Sequence, residues 1–258
     1  MADIVVIASS ETRYTRRVVD GLCQAGKRPS ILILGSSAEN LLFKLGSLRR
    51  IWHQLGPIEA ARRIRRSRQT PVPADNASIP TLAALAKEYD FRIIRYDKIN
   101  HGAIVVELLT ADNPITILAG CGIVDRAIIS ASSGGCLNGH PAILPGLRGV
   151  DVFQWAILKD APFGVTAHLV EEKVDAGSII VQKHIEPADS GEDFDRFYQR
   201  LEDEQAKALV EAAIKVHDGT ADFMANDTDA SELCFAMRDE LKTKARRVFS
   251  QKHGANSR

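Results

Sequence analysis

Hydrophobic residues recur along this chain in two rhythms. Ile4-Val5-Val6-Ile7-Ala8, Ser30-Ile31-Leu32-Ile33-Leu34-Gly35 and Ile115-Thr116-Ile117-Leu118-Ala119-Gly120 are short, nearly unbroken apolar runs rich in β-branched residues. Such runs predict strands buried on both faces of a parallel sheet. Between the first two, Ser9-Ser10-Glu11-Thr12 offers several N-cap residues and Gly26 a stop, which predicts a helix reaching about Ala25. Strand, helix, strand at this spacing is a βαβ unit. The expected class is therefore α/β, a doubly wound, mostly parallel Rossmann-like sheet.

The rest of the pattern extends that plan. A helix is expected from Pro80 to Tyr89, a strand over Phe91–Tyr96, and a cap region at Asp97–Asn100 for a helix reaching Leu109. A Ser/Gly-rich bend leads to a buried strand ending at Leu137, and Val150–Lys159 reads as a helix. Gly164–Val170 and Ser178–His184 alternate and predict an antiparallel hairpin, with His168 and His184 read as structural or solvated residues inside it. Asp189-Ser190-Gly191 opens a long helix to His217, and a last helix is expected over Asp229–Ser250. Residues 1–190 thus form the expected core, with a helical insertion at 39–69, and residues 191–258 a C-terminal helical extension. The insertion carries Arg62, Arg63, Arg65, Arg66 and Arg68; a solvated basic face, a lid meeting phosphates and a homodimer contact are its three readings.

Composition adds exclusions. The 258 residues are 45% apolar and 26% charged, enough for a large core without staples. Net charge is zero, so nothing global points to nucleic acid or an anionic membrane. Cys23, Cys121, Cys136 and Cys234 are scattered with no Cys-x-x-Cys pair, which fits buried thiols and no zinc site. The N-terminus lacks a basic lead and a long apolar run, so a cytoplasmic location is expected.

Candidate chemistry gathers at Leu137-Asn138-Gly139-His140-Pro141, at the following Pro-rich loop through Gly149, and at Glu171-Glu172-Lys173-Val174-Asp175-Ala176-Gly177. The reading places Asn138 and His140 where the strand becomes loop. An Asp accepting from one ring nitrogen of a His sets its tautomer and raises its basicity. A nearby Asn amide can donate to a developing oxyanion. The three would suit acyl transfer to an amine, although a lone Asn-x-His is commonly a turn with a satisfied imidazole. The Ser9-Ser10 turn reads either as a plain capping turn or as an anion site at a helix start.

Asn138-Gly139-His140-Pro141, Leu144-Pro145, Arg148-Gly149, Gly164-Val165-Thr166 and Val174-Asp175-Ala176-Gly177, in this order, resemble the 10-formyltetrahydrofolate-dependent formyltransferases. The resemblance covers roughly residues 1–190 and is sharpest from Leu118 to Gln182. It implies a catalytic set of Asn138, His140 and Asp175, with no metal. It implies 10-formyltetrahydrofolate as co-substrate near Gly122, Ile123, Val124, Glu171, Glu172, Lys173 and Val174, and substrate contacts from Ser9, Ser10 and Arg148. Within the family the chain is most similar to nucleotide-sugar N-formyltransferases of the GDP-perosamine type, which serve O-antigen (lipopolysaccharide) synthesis, through Arg95–Asn100, its length and the basic insertion. That implies a nucleotide-linked amino sugar as partner. Formylation of glycinamide ribonucleotide or another small amine, and a non-catalytic folate or nucleotide binder, stay open beside it.

Overall fold

A computed structural model describes residues 2–35, 79–188 and 191–253; the expected insertion at 39–69 lies outside these. Its centre is a seven-stranded sheet. Strands β1 (Ile4–Ala8), β2 (Ile31–Gly35), β3 (Arg92–Tyr96), β4 (Ile115–Leu118) and β5 (Cys136–His140) run parallel, in the spatial order β3-β2-β1-β4-β5. The antiparallel hairpin β7 (Gly164–Leu169) and β8 (Ile179–His184) continues the sheet beyond β5.

Period-two burial explains the apolar runs. Ile4, Val6 and Ala8 of β1, with Leu32 and Leu34 of β2, enter one core layer, while Val5, Ile7, Ile31 and Ile33 enter the other. The first layer is covered by α1 (Arg13–Gln24) and by the long α6 (Phe194–His217). The second is covered by α3 (Gly102–Thr110) and the short α4 (Arg126–Ala131), α2 being Leu82–Tyr89. Both faces being apolar, no wet side breaks the runs. Helix α1 starts at Arg13, with Thr12 alone capping it by accepting from the Thr15 N–H. Helix α4 was not anticipated, because six residues are too few for a helical period to register.

The C-terminal part departs most from expectation. Helix α6, capped by Asp193, buries Phe197, Leu201 and Leu209 in the same core as the sheet. The last helix, α7, spans Asp239–His253 and not Asp229–Ser250. The residues before it contain β9 (Glu232–Cys234), which pairs in parallel with β6 (Leu147–Gly149). A three-residue strand gives no alternation signal. Phe153 of α5 (Val152–Lys159), Phe163, Phe197 and Phe249 of α7 form a ring cluster with centroids 5.1–6.4 Å apart, which welds α7 to the core. Among the described residues no helix is long and apolar enough to cross a membrane.

Candidate active site

The strand order reverses direction across β1 and β4, and crevices at the carboxyl ends of such strands are where α/β sheets bind ligands. Asn138 and His140 lie inside β5 itself, not in the loop after it, because the ladder with β7 runs on through His140, which opposes Thr166. Two residues apart, they project from the same face. Gly139 between them is required by close packing: a Cβ there would meet Tyr14 Oη at 2.7 Å and Gln205 Cγ at 3.3 Å.

The same register sets His168 directly opposite Asn138, and Asn138 Nδ2 meets His168 Nε2 at 3.4 Å. Opposed residues of an antiparallel pair share a face. The imidazole read from sequence as structural or solvated is therefore buried in the site; His184, by contrast, is exposed. The signal that could have found His168 is the hairpin register, which alternation alone does not fix across a thirty-residue separation.

Asp175 stands in the β7–β8 loop in a left-handed conformation, φ 50°. Its Oδ2 accepts from the Gly149 N–H at 2.8 Å and lies 3.5 Å from His140 Nδ1, while Oδ1 lies 3.6 Å from His168 Nε2. Each imidazole is oriented from its far side. His140 Nε2 donates to the Leu147 carbonyl (2.8 Å) and His168 Nδ1 to the Leu169 carbonyl (2.6 Å). A carbonyl only accepts, so those nitrogens carry the hydrogens, and the lone-pair nitrogen of each neutral ring faces the carboxylate. One extra proton on a ring nitrogen facing Asp175 turns that opposition into attraction.

Burial pushes the His140 ring below its ordinary value, against the pull of Asp175 and the Leu147 carbonyl. Burial would raise Asp175, but His168, His140 and the Gly149 N–H together outweigh it, and its carboxyl lies below the ordinary range. The carboxylate is the fixed charge beside the His140 ring.

The Pro-rich loop is held from the hairpin. Thr166 Oγ1 donates to the Ala142 carbonyl and accepts from the Leu144 N–H, and Gln182 Nε2 donates to the Leu144 carbonyl. This aligns Leu147 and Gly149 with His140 and Asp175.

Asn138, His168 and Asp175 form one end of a cavity of about 250 Å³. Gly122, Ile123, Val124, Glu171, Glu172 and Val174, expected to meet a cofactor, line it together with Leu118 and Val150. Lys173 does not; it donates to Thr228. Ile123 and Val150 stand 74% and 53% exposed, apolar surface of the kind a flat ligand covers. His140 is 2% exposed and lies behind the cavity wall. Ser9 and Ser10, expected among substrate contacts, turn at the same end of the sheet without lining the cavity, and the Ser9 N–H is spent on the Gly120 carbonyl. Arg148, also expected there, is buried, donating from Nη1 to the Val174 carbonyl and from Nε to Ser231 Oγ. Larger hollows of 590 and 520 Å³, beside α1/α6 and at the opposite sheet end, bring no comparable set of groups together.

This chain is similar to the methionyl-tRNA formyltransferase of Agathobacter rectalis, 29% identical over 160 residues that cover 60% of this chain and 51% of that one. It spans about half the length of the curated relatives it matches. Its fold matches the N-formyltransferase from Helicobacter canadensis, solved with folinic acid and dTDP-3-aminofucose, with TM-score 0.58, 12% identity, and coverage of 91% of this chain and 71% of that one. It also matches glycinamide ribonucleotide transformylase 1 from Symbiobacterium toebii, with TM-score 0.56, 18% identity, and coverage of 85% and 89%. The family model described as formyl transferase matches residues 66–213, more than half the chain, and its span takes in β5, β7 and the Asp175 loop. By that match the chain belongs to the formyl transferase family.

Proposed function

We propose that this protein transfers a formyl group from 10-formyltetrahydrofolate to an amine. The observation that carries the reading is the Asp175 carboxylate held between two imidazoles, beside an Asn amide at the end of a cavity. The amine nitrogen attacks the formyl carbon, the carbonyl oxygen gains negative charge, and the bond to the folate nitrogen then breaks. Asn138 Nδ2, at the cavity wall, donates to that oxygen. The proton held by Asp175, His140 and His168 stabilises it, and the proton leaving the amine passes through the same cluster to the departing folate nitrogen. The apolar walls at Ile123, Val124 and Val150 suit the flat ring of the folate.

The acceptor we favour is a nucleotide-linked amino sugar such as GDP-perosamine. The Arg95–Asn100 resemblance, the Arg62–Arg68 run and the likeness of fold to an N-formyltransferase solved with a dTDP-amino sugar support it. Two further readings rest on specific observations: glycinamide ribonucleotide on the transformylase likeness, and methionyl-tRNA on the curated relatives. The test is tetrahydrofolate release with a panel of 3-amino and 4-amino nucleotide sugars, glycinamide ribonucleotide and methionyl-tRNA, alongside His140→Ala. One acceptor formylated by wild type and not by the variant supports the reading and names the substrate. Folate binding without transfer to any of them overturns it in favour of a non-catalytic binder.

A further inference from the structure

The Asp175 loop is gripped by a segment far along the chain. Between α6 and α7, Met224 exchanges backbone hydrogen bonds with Ile179 at the start of β8 (2.8 and 2.9 Å). Two residues on, Asn226 Nδ2 donates to the carbonyls of both Asp175 and Gly177, each at 3.0 Å. Thr228 accepts from Lys173, and Ser231 accepts from Arg148, whose Nη1 holds the Val174 carbonyl. Both flanks of Asp175 are therefore tied to residues 224–231.

Of these contacts only that of Asn226 holds the left-handed residue's own carbonyl, together with the carbonyl of Gly177 two residues on. An L-residue with φ 50° has a less strained alternative in the extended region, and reaching it swings the peptide groups on either side. The Asn226 amide opposes that swing on the carbonyl side of Asp175, as Arg148 does at the Val174 carbonyl before it. It thereby sets the direction in which the carboxylate leaves the backbone, toward His140 on β5, His168 on β7 and the Gly149 N–H on β6. Two carbonyl acceptors also fix which end of the amide faces them. Asn226 does not line the cavity and touches no group proposed to react.

We infer that Asn226 is a positioning residue for Asp175, setting the aim of the carboxylate and through it the proton shared with His140 and His168. The catalytic part of this inference rests on the proposed formyl transfer; the geometric part does not, and the two are tested separately.

The experiment compares the full-length wild type with Asn226→Ala, Asn226→Asp and Asn226→Gln. Asn226→Asp keeps the size and removes both donors; Asn226→Gln keeps the donors on a longer arm. Histidine-selective NMR titration reads the His140 and His168 rings, and turnover against 10-formyltetrahydrofolate reads kcat and KM. Displaced titration of the His140 ring is expected in the Ala and Asp variants. Also expected are a kcat lowered about ten- to fiftyfold in both, a KM for the folate within about threefold of wild type, and partial recovery of kcat in Gln. Where Ala does not fold, Asp and Gln carry the comparison. Ring titrations unchanged in Asn226→Asp overturn the inference whatever the activity. So does a loss confined to KM, or a Gln variant no better than Ala. A wild type that transfers no formyl group to any acceptor defeats the functional reading alone, and the titrations still decide the positioning.

Discussion

Replacing Asp175 with Asn removes one charge and almost no volume. The variant oxygen can still accept from the Gly149 N–H, so the loop keeps its 2.8 Å anchor. What disappears is the attraction between the carboxylate and a proton on His140 Nδ1, 3.5 Å away, or on His168 Nε2, 3.6 Å away. At an effective dielectric constant of 20, one such pair is worth roughly 5 kcal/mol. Residual solvent at the Asp175 side chain, 11% exposed, brings this toward about 3 kcal/mol. If the charged cluster stabilises the transition state, that energy corresponds to a fall in kcat of roughly two to three and a half decades. Burial already pushes His140 down and Asp175 opposes it, so the His140 ring moves further down in the variant. The assay pairs single-turnover formyl transfer with NMR titration of the two imidazoles, thermal melting serving as the fold control. Wild-type kcat in a folded Asp175→Asn protein, or an unmoved His140 titration, would refute the electrostatic account of the site.

Four further outcomes follow from the same structure. Acid weakens the fold: His140 titrates lower folded than unfolded, so its contribution is full above about pH 6.5 and drains as pH falls toward the folded value. Asp175, also lowered, adds a second loss of the same sign below about pH 4, and urea midpoints of wild type and His140→Gln should converge as pH drops from 7 toward 5. Gly149→Ala drives a Cβ into the Cys234 carbonyl oxygen at φ 98°, so it should displace β9, cost about 1–3 kcal/mol in denaturant unfolding and loosen the N–H that holds Asp175. Phe249→Ala, which removes a fully buried ring from the cluster, should cost about 3–5 kcal/mol; a loss under about 1 kcal/mol would show that α7 is not part of the core. Cys23, whose thiol burial pushes up to about 11, and Cys136, which burial pushes up further, should resist alkylation at neutral pH in the folded protein and react once urea unfolds it.

Sheet and site were legible to different depths for physical reasons. The runs at Ile4, Ile31 and Ile115 announced themselves because a doubly covered strand is apolar on both faces. Asn138, His140 and Asp175 were singled out through motif order and Asp175 was expected in its loop, but Asn138 and His140 were misplaced, since the strand was expected to stop at Leu137 and continues to His140. His168 escaped because its meaning depends on standing opposite Asn138, a fact of register and not of composition. Arg148 looked like a ligand-binding cation because a sequence shows a charge without its partners, here the Val174 carbonyl and Ser231. Asn226 and β9 carried no local signal, as a lone Asn and a three-residue strand acquire significance only from what they touch.

The pairing of β6 with β9 also bears on the order of folding. The Arg148–Ser231 bond closes 83 residues and the Asn226–Asp175 bond 51, and both need the segment behind α6, whereas the central sheet is complete at β8. Closing such loops carries an entropic cost, and here the closure has to follow the docking of α6 on the sheet. A molecule with its sheet already laid down still has a slack Asp175 loop until α6 docks and the chain behind it returns to β6. In refolding, the far-ultraviolet signal of the sheet and helices should therefore recover before the native His140 and His168 resonances do. The interval between the two would time the last step of maturation, in which a finished scaffold becomes a finished site.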